Sequence, residues 1–187
     1  GKSTTTALLG HVLTSAGKKA EIGGNYGIPA LELKPLGSDG IYVLELSSYQ
    51  LERISSVSLN ISILLNISPD HLERHGGMGG YVASKVSILK QTNSDGVVVI
   101  GMDDPHCRGI VLEMMAHKNF SSKNLIPISG NSRVPGGFYV EGSILIDDTE
   151  YQPRPIMDLS KIETLAGRHN WQNIAAAVSV ARVIGVP

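Results

Sequence analysis

The sequence predicts an α/β fold, with a mostly parallel sheet flanked by helices and a small antiparallel, hairpin-rich edge near residues 125–157. Three apolar, β-branched runs, at 40–46, 60–68 and 96–102, are typical of parallel strands that are buried on both faces. Segments with helical spacing alternate with them, and this alternation favours a parallel sheet. Beyond Leu125 the strand-like pieces become short and are separated by Gly, Asn and Pro, which indicates hairpins.

The other predicted elements depend on local signals. The first helix covers 3–16 and ends before Gly17, because glycine commonly follows a helix C-terminus. A short strand at 19–24 leads into the turn GGNYG, and Pro29 suits the start of another short helix. The spacing of apolar residues predicts further helices at 81–92, 105–117 and 170–184.

The composition is that of an ordinary globular domain with almost no net charge. The 187 residues are enough for one sizeable domain, and 42% of them are hydrophobic while 18% are charged. The 16 Lys and Arg against 17 Asp and Glu give a net charge of −1. Because a nucleic-acid binder needs an excess of basic residues to neutralise phosphates, this balance excludes that general class.

The cysteine content and the lengths of the apolar runs indicate the cellular compartment in which the protein is expected. Cys107 is the single cysteine, so the chain forms no intrachain disulfide and fits a reducing compartment. No apolar run approaches the ~18–20 residues of a membrane-spanning helix. We therefore expect a cytoplasmic protein without membrane association, and we expect it to be a monomer.

The chain begins with GKSTTT, which matches the second half of the phosphate-binding signature G-x-x-x-x-G-K-[ST]. In such a loop the backbone N–H groups surround phosphate, the lysine reaches the terminal phosphates, and the next hydroxyl binds Mg²⁺. The plainer alternative is an ordinary helix whose start is capped by Ser3 and Thr4.

Two features favour the phosphate-binding loop. A helix begins immediately after the motif, and Glu45 ends the buried strand in IYVLELSS. Ligands of open α/β sheets bind at the carboxyl ends of the strands, where a carboxylate is placed to bind Mg²⁺. We therefore expect a phosphate-binding loop whose first half, together with the strand before it, lies outside these residues.

Six motifs occur in an order that resembles the Mur ligases: GKSTTT, GGNYGIPAL, LELSSYQLE, LNISPDHLERH, YVASK and AGRHNWQN. They extend from residue 1 to about 173 and resemble the central, ATP-binding domain of the family, which is similar to P-loop NTPases. The resemblance implies that residues 1–187 are this domain, truncated at its N-terminal edge. It also implies that an N-terminal uridine-nucleotide domain and a C-terminal domain lie outside the sequence.

The resemblance implies an ATP-dependent ligase of peptidoglycan precursor synthesis, with roles in cell-wall biogenesis, cell shape and cell division. A substrate carboxylate would attack the γ-phosphate of ATP to give an acyl phosphate, which the amine of an amino acid then attacks. The pair GGNYGIPAL and LELSSYQLE most resembles members that add D-glutamate to UDP-N-acetylmuramoyl-L-alanine. The implied cofactors are ATP, two Mg²⁺ ions and a carbamylated lysine.

The resemblance assigns the first motif to ATP and to one Mg²⁺ ion. Gly1, Lys2, Ser3 and Thr4 would bind the nucleotide, with Lys2 neutralising phosphate charge during transfer. Ser3 would also bind Mg²⁺, and Glu45 would be the second protein ligand of that ion. For Thr4 a capping role alone stays open.

His71 and Lys85 are the implied catalytic ligands of a second Mg²⁺ ion. Magnesium prefers oxygen, so only the place of His71 in LNISPDHLERH supports its role. Lys85 would become an oxygen ligand as a carbamate, and this reaction needs a neutral amine of the kind that burial favours. The alternatives are a surface histidine and an exposed helix lysine, and Asp70 is a candidate cap of the following helix.

The remaining candidate residues would bind the uridine-nucleotide substrate or adenine. Asn25, Ser47 and Gln50 are implied at the uridine-nucleotide site, with Ser48 beside them, and turn or capping roles are the alternatives. A second group lies in AGRHNWQN, where Asn170 and Asn173 stand three residues apart at a helix start and can face one adenine ring.

Two further points stay open. Asn170 is also a candidate N-cap, and Asp103 and Asp104 follow a strand without an assigned role. Three other functions also fit parts of the sequence: a sister ligase for another amino acid, an ATPase that drives motion, and a binding module without catalysis. The PDH and YVASK elements disfavour the ATPase.

Overall fold

The computed structural model describes residues 1–116, 124–165 and 167–186. Within them the helices are α1 Lys2–Ser15, α2 Ser48–Arg53, α3 Met78–Lys90, α4 Pro105–Ala116 and α5 Arg168–Val183. The strands are β1 Ala20–Gly24, β2 Ile41–Glu45, β3 Leu59–Leu64, β4 Thr92–Gly101, β5 Leu125–Ser129, β6 Phe138–Glu141, β7 Ile144–Asp147 and β8 Arg154–Asp158. Short 3-10 helices cover Ala30–Glu32, Leu159–Lys161 and Glu163–Leu165.

The larger sheet has the strand order β3-β4-β5-β6-β7-β8. Its first four strands are parallel to one another, and the pairs β6–β7 and β7–β8 are antiparallel. The predicted α/β fold with an antiparallel edge is therefore confirmed. The edge is narrower than predicted, because β5 pairs in parallel with both of its neighbours.

Each face of this sheet carries a hydrophobic core. Successive side chains of a strand point to opposite faces, so Val99 of β4 packs in the core beneath α1 and α5, while Val98 and Ile100 pack in the core beneath α3 and α4. This burial on both sides explains why the strand sequences are continuously apolar. None of the described helices is long and apolar enough to cross a membrane.

The strands β1 and β2 form a separate two-stranded parallel sheet. Over the described residues, β2 pairs only with β1 and β3 only with β4, so each strand leaves one edge unpaired. A cavity of about 880 Å³ is lined by residues 40–46 around β2 and by residues 57–65 around β3. The helix α1 also contributes to its wall, and the candidate functional site lies in this cavity.

Two helices differ from the pattern-based prediction. The sequence pattern does not predict α2, which begins at a capping box between Ser47 and Gln50 directly after β2. The helix predicted after Pro29 is only a single 3-10 turn. The predicted end of α4 at residue 117 lies outside the described residues, as does Ala166 of AGRHNWQN.

The predicted caps at Asp70 and Asn170 are wrong. Asp70 is followed by a turn, and α3 begins only at Met78, after Gly77 and without a side-chain cap. Asn170 lies inside the first turn of α5, whose N-cap residue is Gly167. Both helices begin after a positive-φ glycine, Gly77 or Gly167, and glycine at the N-cap leaves the first N–H groups accessible to water without a capping side chain.

Candidate functional site

Four charged side chains line the cavity between β2 and β3: those of Lys2, Glu45, Asp70 and Lys85. Lys2 opens α1, Glu45 is the last residue of β2, Asp70 follows β3, and Lys85 lies in the middle of α3. Residues separated by more than 80 positions thus meet at one place, at the carboxyl ends of the strands, where ligands of α/β sheets bind.

Glu45 is buried, with 4% of its surface exposed. Its Oε1 accepts a hydrogen bond of 3.2 Å from Asn25 Nδ2, while its Oε2 is buried without a hydrogen-bond partner among the residues that the structure describes. A buried carboxylate oxygen without a partner is costly, and a hard cation such as Mg²⁺ would satisfy it. The residues present therefore fit a magnesium ion at Glu45.

Lys85 is buried as well, with 8% of its surface exposed. Burial lowers the pKa of its amine, the positive charge of Lys2 lowers it further, and the carboxylates of Asp70 and Glu45 oppose this shift. Its Nζ lies 5.5 Å from the centre of the Tyr81 ring. The lowered pKa increases the fraction of neutral amine, which is the form that reacts with CO₂.

The first turn of α1 places Lys2, Ser3 and Thr4 at the N-terminus of a helix whose N-cap residue is Gly1. No side chain caps this helix start, so the alternative that Ser3 and Thr4 serve as caps is not observed. The N-terminal end of a helix attracts anions, so this first turn suits phosphate binding.

Asn170 and Asn173 contact each other, as their spacing predicts. Asn173 is buried and donates from Nδ2 to Asn170 Oδ1 at 3.1 Å, and its Oδ1 accepts a hydrogen bond of 3.2 Å from Thr5 Oγ1. The latter bond joins the start of α5 to the first turn of α1. Asn173 therefore connects the predicted adenine contacts to the helix that begins at the phosphate motif.

The three side chains implied at the uridine-nucleotide site make local contacts. Asn25 binds Glu45 twice, through its side chain and through its backbone N–H to the Glu45 carbonyl at 2.8 Å. Ser47 and Gln50 form the capping box of α2, in which Gln50 Oε1 accepts from the Ser47 N–H at 2.8 Å. Their roles in substrate binding stay predictions.

His71 is not brought to the cavity. It lies in a turn with φ of 51°, its Nε2 is 3.5 Å from the Asp70 carboxylate, and its ring packs against Tyr49 in a separate surface pocket. Over the described ranges, no three His, Cys, Asp or Glu side chains cluster closely enough to hold a metal ion. The second metal site thus stays a prediction.

Two residues of the site, Asp70 and Tyr81, were missed by sequence reasoning. Asp70 lines the cavity; burial raises the pKa of the Tyr81 hydroxyl, and the charge of Asp70 raises it further. Tyr81 precedes Lys85 by four residues, so the i, i+4 spacing in YVASK was the available signal. Outside the cavity, Gln172 of the AGRHNWQN motif is buried beside Gly101, with its Nε2 unpartnered within the described part of the chain.

The unassigned aspartates have structural roles. Asp103 accepts hydrogen bonds from Ser129 Oγ and from the Gly130 N–H, which fixes the loop after β5. Asp104 accepts from the N–H groups of residues 106 and 107 and so caps α4. Both side chains are used within the fold.

A family model described as Mur ligase middle domain matches residues 1–181. The chain is 44% identical to the UDP-N-acetylmuramoylalanine--D-glutamate ligase of Caulobacter sp. (strain K31), and the match covers 100% of the chain and 39% of that protein. It is 45% identical to the protein of the same name from Rhodospirillum rubrum, of which it covers 38%. The chain spans about two fifths of the length of these relatives.

Solved structures agree on the fold. A UDP-N-acetylmuramoyl-L-alanyl-D-glutamate--2,6-diaminopimelate ligase superposes with a TM-score of 0.70 at 18% identity, covering 97% of this chain and 41% of that one. The MurF ligase from Thermotoga maritima in complex with ADP superposes with a TM-score of 0.65 at 19% identity, covering 100% and 44%. Since the family model matches residues 1–181 and the solved structures share the fold, the chain belongs to the Mur ligase middle domain family.

Proposed function

We propose that this chain is the ATP-binding central domain of a ligase that joins D-glutamate to UDP-N-acetylmuramoyl-L-alanine and releases ADP and phosphate. The observation that carries the proposal is the meeting of Lys2, Glu45 and Lys85 in one cavity, in a chain 44% identical along its whole length to ligases of that name. The reaction would serve peptidoglycan precursor synthesis in the cytoplasm.

The residues in and beside the cavity would have separate roles in binding phosphate and Mg²⁺. The N-terminus of α1 and the Lys2 ammonium would bind the terminal phosphates of ATP and offset their charge as the γ-phosphate is transferred. Glu45 would hold Mg²⁺ together with Ser3, and Asn25 would keep the Glu45 carboxylate in position through its 3.2 Å hydrogen bond. The Mg²⁺ ion, when bound, would polarise phosphate oxygens.

Lys85 would act as a carbamate. Its burial and the repulsion from Lys2 favour the neutral amine, whose nitrogen could then form a bond to the carbon of CO₂ and release one proton to solvent, which leaves a carbamate anion with oxygen ligands. A second Mg²⁺ ion would be held by this group and by His71, whose side chain lies outside the cavity in this structure. The 70–77 turn that carries His71 would have to change conformation for that role.

The other parts of the reaction would come from outside this domain. The relatives are about two and a half times as long as the chain, since it covers 39% of the first of them. We propose that the additional length holds a domain for the uridine nucleotide and a domain that supplies most contacts to the amino acid. The expected monomeric state belongs to that full-length protein.

The test is phosphate release by the full-length protein with Mg-ATP and UDP-N-acetylmuramoyl-L-alanine. D-Glutamate is compared with L-alanine, L-glutamate and diaminopimelate as the acceptor. Release that depends on D-glutamate supports the proposal, whereas release with another amino acid keeps the reaction and replaces the substrate. Release without any amino acid contradicts the ligase and favours a plain ATPase.

A further inference from the structure

A buried histidine, His75, lies in the turn between β3 and α3, and its side chain is 0% exposed. Its Nε2 lies 3.1 Å from Ser48 Oγ. Its Nδ1 lies 2.6 Å from Glu52 Oε1, a close ion-pair contact that is not aligned as a hydrogen bond. The ring packs between the rings of Tyr49 and Tyr81, at centroid distances of 5.7 and 5.3 Å.

Ser48 is the junction between the two strand–helix units that carry the site. It follows Glu45 by three residues and begins α2. Its backbone carbonyl accepts a buried hydrogen bond of 2.9 Å from the hydroxyl of Ser84, the residue before Lys85. The same residue therefore holds α3 through its carbonyl and His75 through its hydroxyl.

The order Ser48–His75–Glu52 has the connectivity of a nucleophile, base and acid triad. The burial of Ser48 argues against nucleophilic catalysis, because the residue is only 4% exposed and does not line the site cavity. A substrate could not reach its hydroxyl without unpacking α2 from α3. The triad geometry thus serves to hold the helices rather than to attack a substrate.

The imidazole is the partner of the buried Ser48 hydroxyl and of the partly exposed Glu52 carboxylate. With the side chain fully buried, loss of its nitrogens would leave the Ser48 hydroxyl and the Glu52 carboxylate without that partner, and buried polar groups hold their geometry only when they are satisfied. Loss of the ring would also leave a gap beside Tyr81, whose ring lies under the Lys85 ammonium.

On this basis, and resting on the function proposed above, we propose that His75, held by Glu52, is a positioning residue for the ligase reaction. Through Ser48 and Tyr81 it sets the distance between Glu45 and Lys85, two of the four residues assigned above to metal binding. It touches neither nucleotide nor substrate.

The test uses two substitutions of His75 that each keep one of its contacts. In His75→Gln the side-chain amide reaches the place of Nε2 and can bind Ser48, whereas in His75→Asn the amide lies near the place of Nδ1. We expect His75→Asn to lower kcat about 10- to 100-fold, the range for residues that orient metal ligands, with the KM for ATP unchanged. His75→Gln should stay within about threefold of the wild type.

A second readout does not depend on activity. Mn²⁺ is titrated into the protein with ADP, and free Mn²⁺ is followed by electron paramagnetic resonance. We expect His75→Asn to bind Mn²⁺ about tenfold more weakly than the wild type and His75→Gln to bind it nearly as well. His106→Asn on α4 is the matched control, because that histidine is exposed and lies outside the site.

A wild-type kcat and Mn²⁺ affinity in folded His75→Asn would overturn the proposal, and so would His75→Gln that is impaired as much as His75→Asn. Ser48→Ala covers the case in which His75→Asn fails to fold, because it removes only the hydroxyl and should reproduce the loss of Mn²⁺ affinity. Unchanged Mn²⁺ binding in Ser48→Ala overturns the proposal. If the wild type shows no D-glutamate dependence, the proposed function fails, while the Mn²⁺ comparison still decides the role of His75.

Discussion

The carboxylate of Glu45, at the end of β2, has the burial and the hydrogen bonding that suit the metal-binding role proposed for it. One oxygen is fixed by Asn25 and the other has no partner in the described part of the protein, although the residue is almost fully buried. The fold thus keeps a buried carboxylate oxygen without a hydrogen-bond partner, which costs stability. Such arrangements are common at functional sites. Lys85 shows the same use of burial on a cation.

Glu45→Gln keeps the volume of the side chain and removes its charge. We expect phosphate release by the full-length protein to fall roughly 100-fold or more, because loss of a metal ligand costs several kcal/mol of transition-state stabilisation. The melting temperature should not fall. Glu32→Gln, at an exposed glutamate, is the control. Turnover near the wild-type level in Glu45→Gln would contradict the assignment of Glu45 as a metal ligand.

The pKa of Lys85 predicts a pH dependence of stability. Because burial lowers this pKa in the folded chain, the unfolded chain binds more protons between the folded pKa and the usual value of 10.5, so stability rises with pH through that window. We expect Lys85→Met to be more stable than the wild type at neutral pH, by a margin that shrinks as pH approaches 10.5.

Urea unfolding followed by the fluorescence of Trp171, the single tryptophan, measures this margin at several pH values. Lys90→Met is the matched control, since Lys90 is an exposed lysine on the same helix and should show no such trend. A margin for Lys85→Met that does not change with pH would mean that the amine is not desolvated in the folded chain.

Cys107 is fully buried in the core beneath α3 and α4, and burial strongly raises the pKa of its thiol. The thiolate is the reactive form, so we expect no reaction with a thiol reagent such as Ellman's reagent at mildly alkaline pH in the folded protein. One thiol should react once the chain is denatured. Rapid labelling of the native chain would place Cys107 at the surface.

At the scale of elements, the sequence predicted the segments with a clear period and missed a helix too short to show one. The alternating helices and apolar strands, and the antiparallel edge, follow from local pattern and are confirmed. The helix α2 is six residues long and too short to show a period, so only its capping box marks it.

At the site, the sequence predicted a contact between residues close in the chain and missed contacts between distant ones. The Asn170–Asn173 contact follows from helical spacing, whereas the contact of His75 with Ser48 spans 27 residues of sequence and the bond of Thr5 to Asn173 spans 168. No spacing rule reaches so far along a chain. His71 also shows that a motif assigns a role without fixing the direction of a side chain.

The contact between β4 and α5 offers a test at this scale. A Cβ at Gly101 would lie 1.9 Å from the Leu65 carbonyl oxygen and 2.5 Å from Gln172 Nε2, so we expect Gly101→Ala to lower the free energy of unfolding by at least about 1–3 kcal/mol. Gly109→Ala is the control, because a Cβ there meets nothing within 4 Å and alanine favours α4 by up to about 1 kcal/mol. Equal stability of the two variants in urea would contradict the close packing.

At the scale of the whole molecule, the outer edge of the larger sheet is protected against the addition of further strands, whereas the facing edges of β2 and β3 are not. The outer strand β8 contains Arg154 and Pro155, and both charge and proline prevent further strands from adding to an edge. The facing edges of β2 and β3 carry neither proline nor basic residues, and β3 reads LNISIL. The cavity between them is therefore bounded by two edges that can accept another strand.

Those two edges have a consequence for the isolated 187-residue chain. An unpaired apolar strand is a template for pairing with another molecule, so self-association competes with any strand that would fill the cavity. We expect the apparent mass of the isolated chain in light scattering to rise with concentration. Asn60→Lys places a charge on β3 and should suppress the rise, whereas Asn131→Lys, the same change at an exposed residue outside the strands, should not. The cavity lined by Lys2 and Lys85, both proposed as catalytic residues, would then also be the part of the domain that decides whether it stays in solution.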